Sequence, residues 1–197
     1  METDNLDRSL LESKFERLIS KSKDYINTRN EGELESLRND LIHLKVKLET
    51  AIEKSRKKQN PNNVTALRLM LSIIQKLTYS VHLMENLKSK KPMCTDFDTK
   101  QMLDVLLPHI RILVENENWR EKLDTKKLEE DYSYIESLED QHKRVMLTYL
   151  IQDWHNIDEV INLLKIGELY KNIAEKLVSL SIISNVSNNG DKRLKTS

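Results

Sequence analysis

Three glycines and three prolines in 197 residues constrain this chain more than any other feature. A sheet protein reverses direction every few residues and places Gly or Pro at many of those turns. Six such residues are too few for that, whereas a small set of long helices needs no more. Charged residues make up 32% of the chain and apolar residues only 38%. Each helix can therefore bury one narrow stripe and must solvate the rest of its surface. The fold class expected is all-α: an elongated antiparallel helical bundle, or a coiled coil of long helices.

The breakers divide the chain into segments. Asn27 to Gly32 interrupts a first periodic stretch, and Asn60-Pro61-Asn62-Asn63 is the strongest break. Lys88 to Cys94 carries Pro92 and reads as a second loop, and Leu123-Asp124-Thr125 leads into the last third. Helices are thus expected at roughly 4–28, 33–58, 64–88, 98–123 and 126–184, in one extended helical domain spanning 1–184. Pro108 falls inside the fourth of these, where the apolar spacing passes through it in phase, so a kink is expected there rather than an end. Residues 185–197, rich in Asn, Ser and Lys, are expected to be a disordered tail.

Apolar spacing places the seams. Leu11, Phe15, Leu18, Ser22 and Tyr25 step by four and three along the first helix. Leu34, Leu37, Leu41, Leu44 and Leu48 repeat that order strictly, with Arg38, Asp40, Lys45 and Glu49 off the seam. Such a heptad favours a coiled-coil contact. In the next helix Leu67, Leu71, Ile74, Leu77, Val81 and Met84 form the most apolar stripe of the chain. The last third carries Leu128, Ile135, Leu138, Val145 and Tyr149, then Ile157, Ile161 and Leu164, then Ile166, Tyr170, Ile173, Leu177 and Leu180. Unbroken, it would run to about 90 Å at 1.5 Å per residue, too long to bury its stripe against a small core. It would need long helical partners, although Trp154 to Asp158 could break it with Asn156 as a cap. The candidate interface residues are Leu34, Leu37, Leu41, Leu44, Leu48, Leu164, Ile173 and Leu177.

Little in the sequence suggests chemistry. His43, His82, His109, His142 and His155 never stand three to five residues apart, and Cys94 is the single cysteine. No metal site, cofactor site or catalytic constellation is expected, and each His reads as a helix-surface or stripe-edge residue. Acidic clusters such as Glu129-Glu130-Asp131 alternate with Lys and Arg and read as a solvated helix face. Thirty-two basic residues balance thirty-two acidic ones. That removes the usual electrostatic case for nucleic acid or an anionic membrane as the main partner, despite basic runs at Lys54 to Lys58 and Lys88 to Lys91. No stretch is apolar enough to span a membrane, and the acidic start of the chain is unlike a secretory signal.

From Asp104 to Thr125 the run DVLLPHIRILVENENWREKLDT is similar to the corresponding stretch of the dynactin subunit 3 family, the small subunit of the dynactin shoulder. Its apolar positions Val105, Leu106, Leu107, Ile110, Ile112, Leu113 and Trp119, and the Leu123-Asp124-Thr125 exit, fall in the family's order. Asn39 to Leu48, Leu67 to Tyr79 and Glu168 to Ser181 resemble its other helices. The resemblance implies a non-enzymatic subunit that bundles with dynamitin and the largest dynactin subunit and serves dynein-driven microtubule transport. It implies a cytoplasmic, cytoskeletal location, at the centrosome, spindle or kinetochore among others. The same composition also suits a coiled-coil subunit of another cytoskeletal, kinetochore or vesicle-tethering complex.

Overall fold

Long helices make up nearly all of the described residues. The computed structural model describes residues 31–57, 61–87, 96–115, 119–152 and 157–194. They form α1 (Glu31–Lys57), α2 (Pro61–Glu85), α3 (Asp96–Glu115), the single turn α4 (Trp119–Lys122), α5 (Thr125–Gln152) and α6 (Ile157–Leu194). The described residues are all-α and pack as a helical bundle. The expected helix over 4–28 lies outside them.

Local chemistry explains where the helices begin and end. Pro61 opens α2, three residues earlier than the periodicity suggests. Its fixed φ suits a first turn, and the N–H it lacks would have had no intrahelical acceptor there. At the other end Asn86 Nδ2 donates to the His82 carbonyl at 3.0 Å, and the Leu87 N–H to the Met84 carbonyl at 3.1 Å. Asp124 caps α5: its Oδ1 accepts the Lys127 N–H at 3.2 Å and its carbonyl the Leu128 N–H at 3.0 Å. That pairing satisfies donors a helix start leaves open. Pro108 stays inside α3, on its exposed side, and the helix runs through it.

Two expectations about the last third are corrected. Rather than one rod, it is two helices folded against each other, with 153–156 outside the described residues. Three contacts set their direction: His142 to Leu163, Glu136 to Lys171 and Thr125 to Asn185. As one number rises the other falls, so α5 and α6 are antiparallel. Each supplies the partner the other's stripe needs, which removes the demand for a 90 Å neighbour. The second correction is at the C-terminus. Helix α6 continues to Leu194, beyond the Ser184 boundary from which a disordered tail is expected. Extending a formed helix costs far less than nucleating one, so the Asn- and Ser-rich residues continue it.

Helix α6 is the axis of the bundle and touches α2, α3, α4 and α5. Tyr170, Ile173, Leu177 and Leu180 are buried there. The α1–α2 hairpin is antiparallel too: Arg38 meets Glu85 at 3.6 Å near its open end, and Asn63 Nδ2 donates to Ser55 Oγ at 2.7 Å near its turn. Helix α1 packs chiefly on α2.

Candidate interaction surface

The junction of α3, α5 and α6 holds several buried polar groups. His142 is fully buried, and its Nε2–H donates to the Leu163 carbonyl at 3.0 Å. The ring packs closely on α6 where position 167 is glycine. A Cβ there would stand 3.1 Å from His142 Cδ2, closer than such atoms ordinarily pack. One turn earlier on α5, Glu139 is buried and pairs with Lys143 at 2.6 Å. Lys171 reaches across from α6 to Glu136 at 2.9 Å and to Glu139 at 3.8 Å. Its hydrogen bond to Glu136 raises the Lys171 pKa and lowers that of Glu136.

A second polar tie joins α3 to α5. His109 Nε2–H donates to Asp131 Oδ2 at 2.7 Å while Lys127 holds Oδ1 at 2.8 Å. Burial alone would raise the Asp131 pKa, but the hydrogen bonds from Lys127 and His109 outweigh it and hold the carboxyl below its ordinary value. On α2, Ser80 Oγ donates to the Leu77 carbonyl at 2.8 Å; it stands beside the Tyr170 hydroxyl, whose pKa burial pushes well up. These groups are held by neighbouring helices rather than aimed into a cleft. Among the described residues no cluster of three or more His, Cys, Asp or Glu could hold a metal ion. None of the described helices is long and apolar enough to cross a membrane.

The Glu136–Lys171 pair marks one flank of the α5–α6 hairpin, and apolar side chains continue along it. A helix returns to nearly the same face after seven or eleven residues. Leu147 stands eleven residues after Glu136, with Ile151 one turn further; Leu164 and Ile157 stand seven and fourteen before Lys171, with Ile161 between them. All five therefore share the flank near the hairpin turn. Leu164 is half-buried against the core, but Ile151 is 87% exposed, Leu147 56%, Ile157 48% and Ile161 38%. Four large apolar side chains together on one flank are a candidate interaction surface.

The expected interface residues mostly lie elsewhere. Leu41 and Leu44 are buried in the core, Leu48 is half-buried against it, and Leu34 and Leu37 are in α1 with side chains outside the described ones. Ile173 and Leu177 are completely buried within this chain. They serve its own core because α6 is surrounded by its own neighbours. Leu147 and Ile151 had been missed because they lie off the stripe that closes the hairpin. Their four-residue spacing on an otherwise polar face was the available signal. The histidine reading is corrected at two positions: His142 and His109 are buried, tied to Leu163 and Asp131. Burial of His142 also shifts the α5 stripe, which centres on Met146 rather than half-buried Val145 and Tyr149. Comparison with protein-family models and with curated proteins finds no match to this chain.

Proposed function

We propose that this protein is a non-enzymatic assembly subunit that receives an amphipathic helix of a partner protein on the α5–α6 flank. The observation that carries this reading is the exposure of Leu147, Ile151, Ile157 and Ile161 side by side beside the Glu136–Lys171 pair. An apolar strip bordered by an ion pair suits a helix with apolar anchors three and four residues apart and a charged edge. Such a strip gives a partner contact its dry centre. The resemblance of Asp104 to Thr125 to the dynactin subunit 3 family makes the dynactin shoulder the first complex to test. Dynamitin and the largest dynactin subunit would then be the partners, in the cytoplasm and on the cytoskeleton.

Affinity purification of the tagged full chain, followed by mass spectrometry, tests the reading. Those two proteins should be recovered with the native chain and lost with a Leu147→Asp/Ile151→Asp variant of unchanged helicity. Recovery of a different helical complex, lost with the same variant, would move the protein to another cytoskeletal, kinetochore or tethering assembly. Recovery that the variant leaves intact would remove the flank from the account.

A further inference from the structure

The apolar ledge on the α5–α6 flank is short. The contacts His142–Leu163, Glu136–Lys171 and Thr125–Asn185 set a register in which Ile151 stands level with Ile157, and Leu147 with Ile161. These side chains cover about two helical turns. A stable contact buries roughly 800 Å² on each partner, more than four partly exposed aliphatic side chains offer. A helix seated there must therefore continue along the α5–α6 groove. What borders that continuation decides which helix can fit.

The continuation is acidic. On α5, Asp140 precedes Leu147 by seven residues and Glu129 by eighteen, so both keep nearly its face. On α6, Glu168 and Glu175 follow Ile161 by seven and fourteen. All four carboxylates are exposed. Lys143 and Lys171 also lie along this flank, but they meet Glu139 and Glu136 at 2.6 and 2.9 Å, so their charge is answered within the chain. The other cations are Arg144, at the outer edge of α5, and Lys126, near its far end. Four exposed carboxylates against two cations leave this stretch negative, in a chain whose formal charge is zero. The apolar ledge makes the surface a docking site, and the carboxylates select among the helices that could cover it.

On the reading of the flank as a docking surface, on which this rests, we infer that the partner helix is apolar at one end and basic at the other. Its apolar anchors lie on Leu147, Ile151, Ile157 and Ile161. Its Lys or Arg side chains lie over Asp140, Glu168 and Glu175. From Ile157 to Glu175 the groove runs about 27 Å at 1.5 Å per residue, the length of a helix of about eighteen residues.

Three synthetic helix-forming peptides of about that length test this against the full chain. They share an apolar half and carry Lys, Gln or Glu in the other half, with binding read by fluorescence anisotropy. The Lys peptide should bind about tenfold more tightly than the Glu peptide, with the Gln peptide between them. The gap should shrink as salt rises from about 0.05 M to about 0.5 M. An Asp140→Asn/Glu168→Gln variant should close most of the gap and leave the Gln peptide's affinity unchanged. A Leu147→Asp/Ile151→Asp variant of unchanged circular dichroism should lose all three peptides. Equal affinities for the three, lost with that second variant, would overturn the basic partner and keep the flank as a docking surface. Binding of none, or binding that the second variant leaves intact, would remove the flank and its partner together. A dimer of the free chain that Ile151→Ser dissolves would make a second copy the occupant and overturn the assignment.

Discussion

The two antiparallel hairpins of this bundle, α1–α2 and α5–α6, have one architecture and opposite surroundings. In α5–α6 the contact contains buried charge and polarity: Glu139, His142, and Lys171 reaching in from the flank. In α1–α2 the contact is apolar, with its polar cross-links at the ends, at Arg38–Glu85 and Ser55–Asn63. The α5–α6 hairpin is also braced by α3, whereas α1 leans chiefly on α2. Apolar seams associate readily but tolerate slippage, while a buried hydrogen bond between two helices is satisfied in one register only. His142 and Gly167 therefore specify how α6 sits on α5, whereas the described polar cross-links between α1 and α2 stand at the ends of that hairpin.

The largest test of that difference compares cores. Leu177→Asp places a charge in a fully buried site of the central helix. It should cost more than about 4 kcal/mol, with loss of helicity at ordinary temperature. Ile42→Asp, at an exposed position of α1, should leave the bundle folded. Circular dichroism with urea titration checks both. A folded Leu177→Asp protein that has merely lost a partner would show that α6 faces another chain after all.

That contrast also shows how far the sequence could be read. Helix content, the α1–α2 turn and the seams through Leu41, Leu44 and Leu177 follow from spacing alone. Spacing did not reveal who covers a seam. Ile173 and Leu177 look like a partner surface in a continuous rod and become core once the chain reverses near residue 154. His142 carries no apolar signal, so its place at the centre of the α5 stripe was invisible without the Gly167 gap. The exposed pair Leu147 and Ile151 was hidden for the converse reason, since only the structure shows that the stripe beside it is already satisfied.

A smaller effect is expected at the junction itself. His142→Leu keeps much of the volume but leaves the Leu163 carbonyl without its donor. The cost should be about 1–3 kcal/mol. Gly167→Ala sets about 1 kcal/mol of improved helix propensity against the 3.1 Å approach to the His142 ring. The His142→Leu background should leave more of that gain visible, because the ring no longer opposes the new methyl. Urea denaturation of the two single variants and the double variant measures the coupling. Strict additivity would mean that His142 and Gly167 do not set the register together.

Smaller still is the pH dependence of the α3–α5 tie. Because the Asp131 pKa is lowered in the fold from 3.8, the unfolded chain binds this proton first as pH falls. The contribution of Asp131 is complete above the unfolded value, declines below about pH 4 and is lost once the pH passes the folded value. Asp131→Asn should flatten stability in that acid range. Thermal melts across that series decide it. An equal acid slope in the variant would assign the loss to other carboxylates.

The smallest effect on stability belongs to the α5–α6 flank, where it is most informative. Ile151 is 87% exposed, so Ile151→Ser removes almost no buried area in the isolated chain and should change stability by less than about 0.5 kcal/mol. In an assembly the same side chain would lie under a partner helix, where burying an isoleucine is worth about 1.5–3 kcal/mol. The substitution should then weaken association by one to two orders of magnitude, since about 1.4 kcal/mol corresponds to a factor of ten. Tyr79→Ser is the matched control: Tyr79 is a large exposed side chain on α2, away from the flank. Stability and partner binding measured on both variants separate the possibilities. Loss of binding at Ile151 but not at Tyr79, with both folds intact, places the contact on the hairpin whose register His142 specifies. Equal loss at both positions would instead describe diffuse apolar association, in which that register has no part.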